Sequence, residues 1–335
     1  MDVEQVIQNW KKKVFKPVYW LEGEEPYYID KLTHFAEEHI LPADQVSFNL
    51  SVFYGRDAKV DEVINSCRRY PIFHEIQVVV LKEAQQLRDL EKLESYINNP
   101  LSSTIFIVAH KEKKVDGRGK LAKILKAKAE VLTTKKMYDN ELPEWASSMI
   151  KSKGLEIQSK ALHMLVGHIG NDLQRIENEV EKLSINLQGR KQITEDDIEN
   201  FIGISKEFNI FELQAAVVNR DLSGALNIIN YFSSNPKAAP IQLVLPTLFS
   251  FFSKLYVASS SGSRDEYSLS AVLGVKGFFV KQYIQAMQRY SFSDIEKVLV
   301  LLQHYNLMSI GIGRVNMDDA SMMKEMVAKI MIKES

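Results

Sequence analysis

Apolar positions in the first 135 residues alternate between two spacings. Val3, Val6, Ile7 and Trp10 recur at helical spacing and predict a short amphipathic opening helix. Pro17-Val18-Tyr19-Trp20-Leu21 is a compact β-favouring run that ends in the loop Glu22-Gly23-Glu24-Glu25-Pro26. A helix over Tyr27 to His39 follows. Further β-rich runs lie at Val46 to Tyr54, Ile76 to Leu81, Thr104 to Ala109 and Val131 to Thr134. Helical stretches separate them at about Asp57 to Arg69, Leu87 to Asn98 and Gly119 to Lys128. Strands alternating with helices predict an α/β domain, a parallel sheet with helices on both faces.

From about Asn140 the strand signal disappears. Leu142 to Lys153, Ser159 to Ile169 and a run marked by Leu173, Ile176, Val180 and Leu183 each read as helix, the last preceded by the stop and cap Gly170-Asn171-Asp172. Thr194-Glu195-Asp196-Asp197 has capping-box form before a short helix, Ile198 to Ile202. Beyond Phe208 the pattern stays helical: Phe211 to Asn219, Gly224 to Phe232, Ile241 to Ala258, Phe278 to Tyr290, Asp294 to Met308 and Ala320 to Lys333, with a Ser/Gly turn at Ser259 to Ser263. These patterns place boundaries near 139 and 207 and give three domains: 1–139 α/β, 140–207 a small helical module, and 208–335 a second helical domain.

Composition narrows the class. At about 150 residues per domain, 335 residues suit two or three domains. Forty-two basic against 43 acidic residues leave a net charge of −1, so no global positive field marks a nucleic-acid binder. An apolar share of 45% and a charged share of 25% suit a globular chain rather than a disordered one. The single cysteine, Cys67, excludes an internal disulfide and a cysteine zinc finger, and suits a reducing cytosol. Met1-Asp2-Val3-Glu4 is no secretory leader. The most apolar region, Ala239 to Ala258, is interrupted by Gln242, Pro246, Ser250, Ser253 and Lys254, so it reads as a buried core helix and no membrane partner is expected.

Five candidate sites follow. The first strand-loop-helix unit has the position of a phosphate-binding loop, but counting from Gly23, Tyr28, Ile29 and Asp30 stand where Gly, Lys and Ser/Thr belong. Glu24 and Glu25 repel phosphate and Pro26 removes an amide donor, so no nucleotide cofactor is expected. Cys67, with His74 near in sequence, reads as a small semi-buried hydrophobe rather than a nucleophile. His34/His39 and His163/His168 are spaced five apart, on poorly matched helix faces for one metal. Lys111 to Lys128 holds Lys111, Lys113, Lys114, Arg118, Lys120, Lys123, Lys126 and Lys128 against Glu112 and Asp116, an excess of six positive charges. It is either a solvated helix face or a contact for nucleic acid or an acidic partner. In Arg69-Tyr70-Pro71-Ile72-Phe73-His74-Glu75, Pro71 projects the next residues into a loop, where Ile72 and Phe73 are either core or an exposed partner anchor.

Several stretches together resemble the delta subunit of bacterial DNA polymerase III, from its clamp loader. They are Pro17-Val18-Tyr19-Trp20-Leu21-Glu22-Gly23-Glu24-Glu25-Pro26-Tyr27-Tyr28-Ile29-Asp30-Lys31-Leu32, Pro71-Ile72-Phe73 before Val78-Val79-Val80-Leu81, Gly170-Asn171-Asp172-Leu173 with Asn178-Glu179-Val180-Glu181-Lys182-Leu183, and Asn209-Ile210-Phe211-Glu212-Leu213 with Arg220-Asp221 and Ala225-Leu226. They fall in family order over about residues 15 to 310. The resemblance implies an AAA+-like α/β domain without a working nucleotide site, a three-helix lid and a helical collar. It implies a cytoplasmic, non-catalytic subunit that binds and opens the sliding clamp (the beta subunit) for loading onto primed DNA. It implies that ATP is bound by neighbouring motor subunits, and that gamma/tau and delta-prime type subunits are met through the collar. The family's clamp-contacting apolar pair maps onto Ile72 and Phe73. Family members often carry Asp and Lys where this chain has Asn306 and Ile310, so no charged collar contact is carried over; Ser66-Cys67-Arg68 is a scrambled form of the arginine-finger motif of related subunits and carries no such role. The rival readings are an active AAA+ ATPase and a free-standing nucleic-acid binder using the basic stretch.

Overall fold

A computed structural model describes residues 3–138, 141–205, 207–236, 238–275, 277–313 and 317–332, the side chains of 277–279 aside. Met1, Asp2, the boundary at 139–140 and the final residue of the last expected helix, Lys333, lie outside the described residues. The chain divides into two units, residues 1–138 and 139–335.

In the first unit, α1 (Val3–Lys11), β1 (Val18–Gly23) and α2 (Pro26–His39) lead to α3 (Val46–Asn49), β2 (Leu50–Tyr54) and α4 (Val60–Cys67). Then come β3 (Gln77–Lys82), α5 (Glu94–Ile97), β4 (Thr104–Lys111), α6 (Lys120–Lys128) and β5 (Glu130–Thr134). The five strands form one parallel sheet in the order β2-β3-β4-β1-β5. The expected α/β class is therefore what the first unit adopts. The near-continuous apolar runs of β1, β3 and β4 are those of central parallel strands covered on both sides. Alternate residues serve the two faces: Val18, Trp20, Val79, Leu81, Phe106 and Val108 pack with α4 and α6, and Tyr19, Leu21, Val78, Val80, Ile105 and Ile107 with α1 and α2.

Two expectations here need correction. The run Val46 to Tyr54 is not one strand: its first four residues form a helical turn, in which the Asn49 amide bonds the Gln45 carbonyl at 3.0 Å, and only Leu50–Tyr54 is strand. Leu87 to Asn98 is not one helix either. A 3₁₀ turn at Leu90–Leu93 precedes the four-residue α5, because Asp89 takes left-handed backbone (φ +56°) that a continuous helix does not admit.

The second unit holds α7 (Leu142–Ser152), β6 (Glu156–Ile157), α8 (Ser159–Ile169), α9 (Leu173–Asn186), β7 (Gln192–Ile193) and α10 (Glu195–Ile202). α11 (Ile210–Asn219), α12 (Leu222–Ser234), α13 (Ile241–Ser260), α14 (Glu266–Leu273), α15 (Gly277–Arg289), α16 (Phe292–Ser309) and α17 (Asp319–Met331) follow. The capping box at Thr194 forms as its sequence suggests: the Asp197 amide donates to the Thr194 hydroxyl and the Thr194 amide to the Asp197 carboxylate. A two-residue parallel bridge, β6 with β7, escaped the reading of this region as purely helical. α14 was not among the expected helices, because it buries only Leu269 and Leu273 and is too short to establish a periodic stripe. α13 is long and apolar enough to cross a membrane by composition alone, yet Ile241, Val244, Leu248, Phe252 and Leu255 are core residues of this unit.

Candidate functional site

Candidate residues in the first unit fall in two places, at opposite ends of its sheet. At the carboxyl ends of the strands, the loop after β1 occupies the position where parallel α/β sheets receive phosphates. Here the chain's own groups take up that chemistry. The Glu24 amide donates to the Thr134 carbonyl at 3.3 Å and the Glu25 amide to Thr134 Oγ1 at 3.3 Å. Pro26 has no amide hydrogen, and the Tyr27 amide donates to Glu25 Oε1 at 3.2 Å. Glu25, buried as the N-cap of α2, thus sets a carboxylate at the helix terminus that would otherwise receive an anion. Gly23 has φ +133°, and a Cβ there would sit 2.1 Å from the Thr134 carbonyl oxygen, so β1 and β5 close directly on one another.

The other positions read against the phosphate-loop pattern are also engaged. Ile29 is fully buried in the core and Tyr28 is half-buried. Asp30 Oδ1 pairs with Lys111 Nζ at 2.7 Å, and the same ammonium meets Glu83 Oε1 at 2.7 Å. Burial opposes charge on both Lys111 and Glu83. Their hydrogen-bonded pairing outweighs it, holding the lysine above its ordinary range and the Glu83 carboxyl below. Lys111, the first member of the basic stretch, is therefore an internal cation rather than a surface one.

The remainder of that stretch divides again. Lys120 pairs with Glu94 at 2.7 Å and Arg118 with Asp116 at 3.3 Å, while Lys113, Lys114, Lys123 and Lys126 are exposed. α6 turns Leu121 and Leu125 inward, which sends Lys123 and Lys126 to solvent. Cys67 is fully buried, and burial pushes its thiol well up, out of the range of a nucleophile. Among the described residues no group of three His, Cys, Asp or Glu side chains is placed to hold a metal.

At the amino ends of the strands lies the loop between α4 and β3. Of the two readings of its apolar pair, core and exposed, the structure has the exposed one: Phe73 is 95% and Ile72 47% accessible. Tyr70 and Phe48 are also exposed. Phe73 has φ +54°, a left-handed backbone uncommon for a bulky side chain. The loop is nonetheless fixed. Asn49, 3% exposed at the end of α3, accepts from the Ile72 amide at 2.7 Å and donates to the Ile72 carbonyl at 2.9 Å. Downstream, the Ile76 amide donates to His74 Nδ1 at 3.2 Å. Gln77 Nε2 ties the start of β3 to the end of α4 by donating to the Arg69 carbonyl at 2.6 Å and the Ser66 carbonyl at 3.1 Å. Sequence reasoning missed Asn49; an asparagine inside a run read as strand was the signal that could have found it.

Residues 19–135, which include both places, match the family model described as DNA polymerase III, delta subunit. They carry the delta-subunit family's signature. Similarity to delta subunits extends over nearly the whole chain. The DNA polymerase III subunit delta of Bacillus subtilis (strain 168) is 26% identical over 310 residues, covering 89% of this chain and 88% of the relative. A probable DNA polymerase III subunit delta of Aquifex aeolicus (strain VF5) is 23% identical over 327 residues, covering 92% and 91%. Among solved structures, the Bacillus subtilis DNA clamp loader delta protein aligns over 98% of this chain and 99% of its own, with TM-score 0.54 and 24% identity, and shares the fold. The resemblance read from the sequence thus holds in a family model, in relatives and in fold.

Proposed function

We propose that this delta-family chain is the clamp-opening subunit of a bacterial replicative clamp loader, acting in the cytoplasm without hydrolysing ATP itself. Ile72 and Phe73 are the residues assigned to the sliding clamp. The observation that carries this reading is the exposed phenylalanine held in left-handed backbone on a loop fixed from both sides. An apolar side chain kept in water at a conformational cost suits a partner that buries it. Two such side chains entering an apolar pocket contribute about 1.5–3 kcal/mol each, and an aromatic anchor is a common hot spot. The pair biases a ring toward opening only by binding the open form better.

The engagement of the Glu24, Glu25 and Tyr27 amides and of Asp30, Glu83 and Lys111 supports the non-hydrolysing part of the reading against an active ATPase. The second unit is assigned as a lid over 140–207 and a collar over 208–335, the collar meeting gamma/tau and delta-prime type subunits. Phe249 and Val300, exposed on α13 and α16, are surfaces it could offer them. Primed DNA is met within the assembly. A pull-down against a purified sliding clamp, wild type beside Ile72→Ala/Phe73→Ala, tests the assignment: retention by wild type and loss by the variant is expected, and equal retention removes the pair from the mechanism.

A further inference from the structure

Neither Ile72 nor Phe73 lies in a helix or strand, so no regular hydrogen-bond ladder holds them. The backbone of Ile72 is held by one side chain from elsewhere in the sequence. Asn49 Oδ1 accepts its N–H at 2.7 Å, and Asn49 Nδ2 donates to its carbonyl at 2.9 Å. A backbone N–H and C=O on one residue need an acceptor and a donor together, which a primary amide supplies in one plane and a carboxylate or hydroxyl does not supply in that form. The same Nδ2 donates to Gln45 Oε1 at 3.1 Å, and Gln45 Nε2 donates to Asp44 at 3.3 Å, so the orientation of each amide in the chain is set by the next. Asn49 itself is buried at the junction of α3 with β2.

We propose that Asn49 is a positioning residue for the partner-binding loop. By gripping both backbone groups of Ile72, its amide presets the Ile72–Phe73 pair in the projecting conformation that meets the clamp. This rests on the reading that the pair binds the clamp. A loop that samples other conformations presents the binding-competent one for only a fraction of the time, and apparent affinity falls by that fraction.

The test uses the full chain and a purified bacterial sliding clamp, with association and dissociation rates measured for wild type, Asn49→Ala, Asn49→Asp and Ile72→Ala/Phe73→Ala. Thermal midpoints and hydrogen exchange at the Ile72 amide are measured alongside. Both Asn49 variants are expected to bind about three- to tenfold more weakly, with most of the loss in the association rate. The Ile72 amide of Asn49→Ala should exchange faster. A merely structural asparagine lowers the midpoint without slowing association of the molecules that remain folded. Should Asn49→Ala not fold, Asn49→Asp, equal in size and still an acceptor for the Ile72 amide, carries the comparison. Wild-type association by the Asn49 variants beside weak binding by Ile72→Ala/Phe73→Ala overturns the positioning role and leaves the clamp reading standing. Wild-type binding by Ile72→Ala/Phe73→Ala overturns the clamp reading, and the positioning role with it.

Discussion

Lys111 Nζ lies 2.7 Å from Asp30 Oδ1, joining the end of β4 to α2, and its second contact, with Glu83, joins it to the residue after β3. Its side chain is 17% exposed, so its removal leaves two carboxylates facing each other without their cation. Lys111→Met should cost about 1–3 kcal/mol, read as a fall in the urea midpoint. The Glu83 carboxyl is depressed by this pairing, so the stabilisation is present above the ordinary carboxylate range and lost as pH falls through the lowered value. The deficit of the variant should therefore shrink on acidification, and adding Glu83→Gln to Lys111→Met should recover part of it at neutral pH.

A second pH dependence sits in α10. Asp197, 4% exposed, is held down to about 2, chiefly by a forked pairing with Arg190 at 2.7 and 3.2 Å and further by the Thr194 amide and hydroxyl. Its carboxyl titrates near 3.9 in the unfolded chain, so it contributes about 2 kcal/mol that is complete above about pH 5 and lost as pH falls toward 2. Asp197→Asn should unfold at lower urea at pH 7 and coincide with wild type near the acid end of a pH series.

Lys113, Lys114, Lys123 and Lys126 are exposed; Lys111, mostly buried, and Lys120, itself exposed, are engaged by carboxylates. Replacing the four by glutamine should change stability by no more than about 0.5 kcal/mol. As one subunit of a loader, the isolated chain should bind DNA weakly, with little salt dependence to lose. Tight binding by the isolated chain, with a log–log salt slope that falls by about 0.9 for each lysine removed, would instead favour the free-standing nucleic-acid binder.

The sheet was legible because its strands are long apolar runs with helices between them: Val78 to Leu81 and Ile105 to Ala109 can be little else. Short elements were not. Val46 to Asn49 has the β-branched and aromatic content of a strand, and local bonds such as that from the Asn49 amide to the Gln45 carbonyl turn it into helix. The phosphate-loop position was readable as chemically wrong from Glu24, Glu25 and Pro26. That Lys111 pairs with Asp30 and Glu83 was not, because these partners are far from it in sequence and indistinguishable from surface charges. For Ile72 and Phe73 the sequence left core and surface open, since two adjacent apolar residues after a proline fit both.

Phe73 offers the sharpest separation of binding from stability. Its ring is 95% exposed and buries almost nothing, while its backbone at φ +54° carries the steric penalty of the left-handed region. Alanine keeps that penalty and glycine removes it, though glycine also makes the unfolded chain more flexible. Phe73→Ala and Phe73→Gly should both bind a sliding clamp at least about tenfold more weakly, since each loses the aromatic anchor. In urea unfolding they should part: Phe73→Ala close to wild type, and Phe73→Gly at least as stable as Phe73→Ala, by up to about 1 kcal/mol. Variants that are both clearly less stable than wild type and undiminished in clamp binding would mean that Phe73 is kept for packing, contrary to its exposure in the structure.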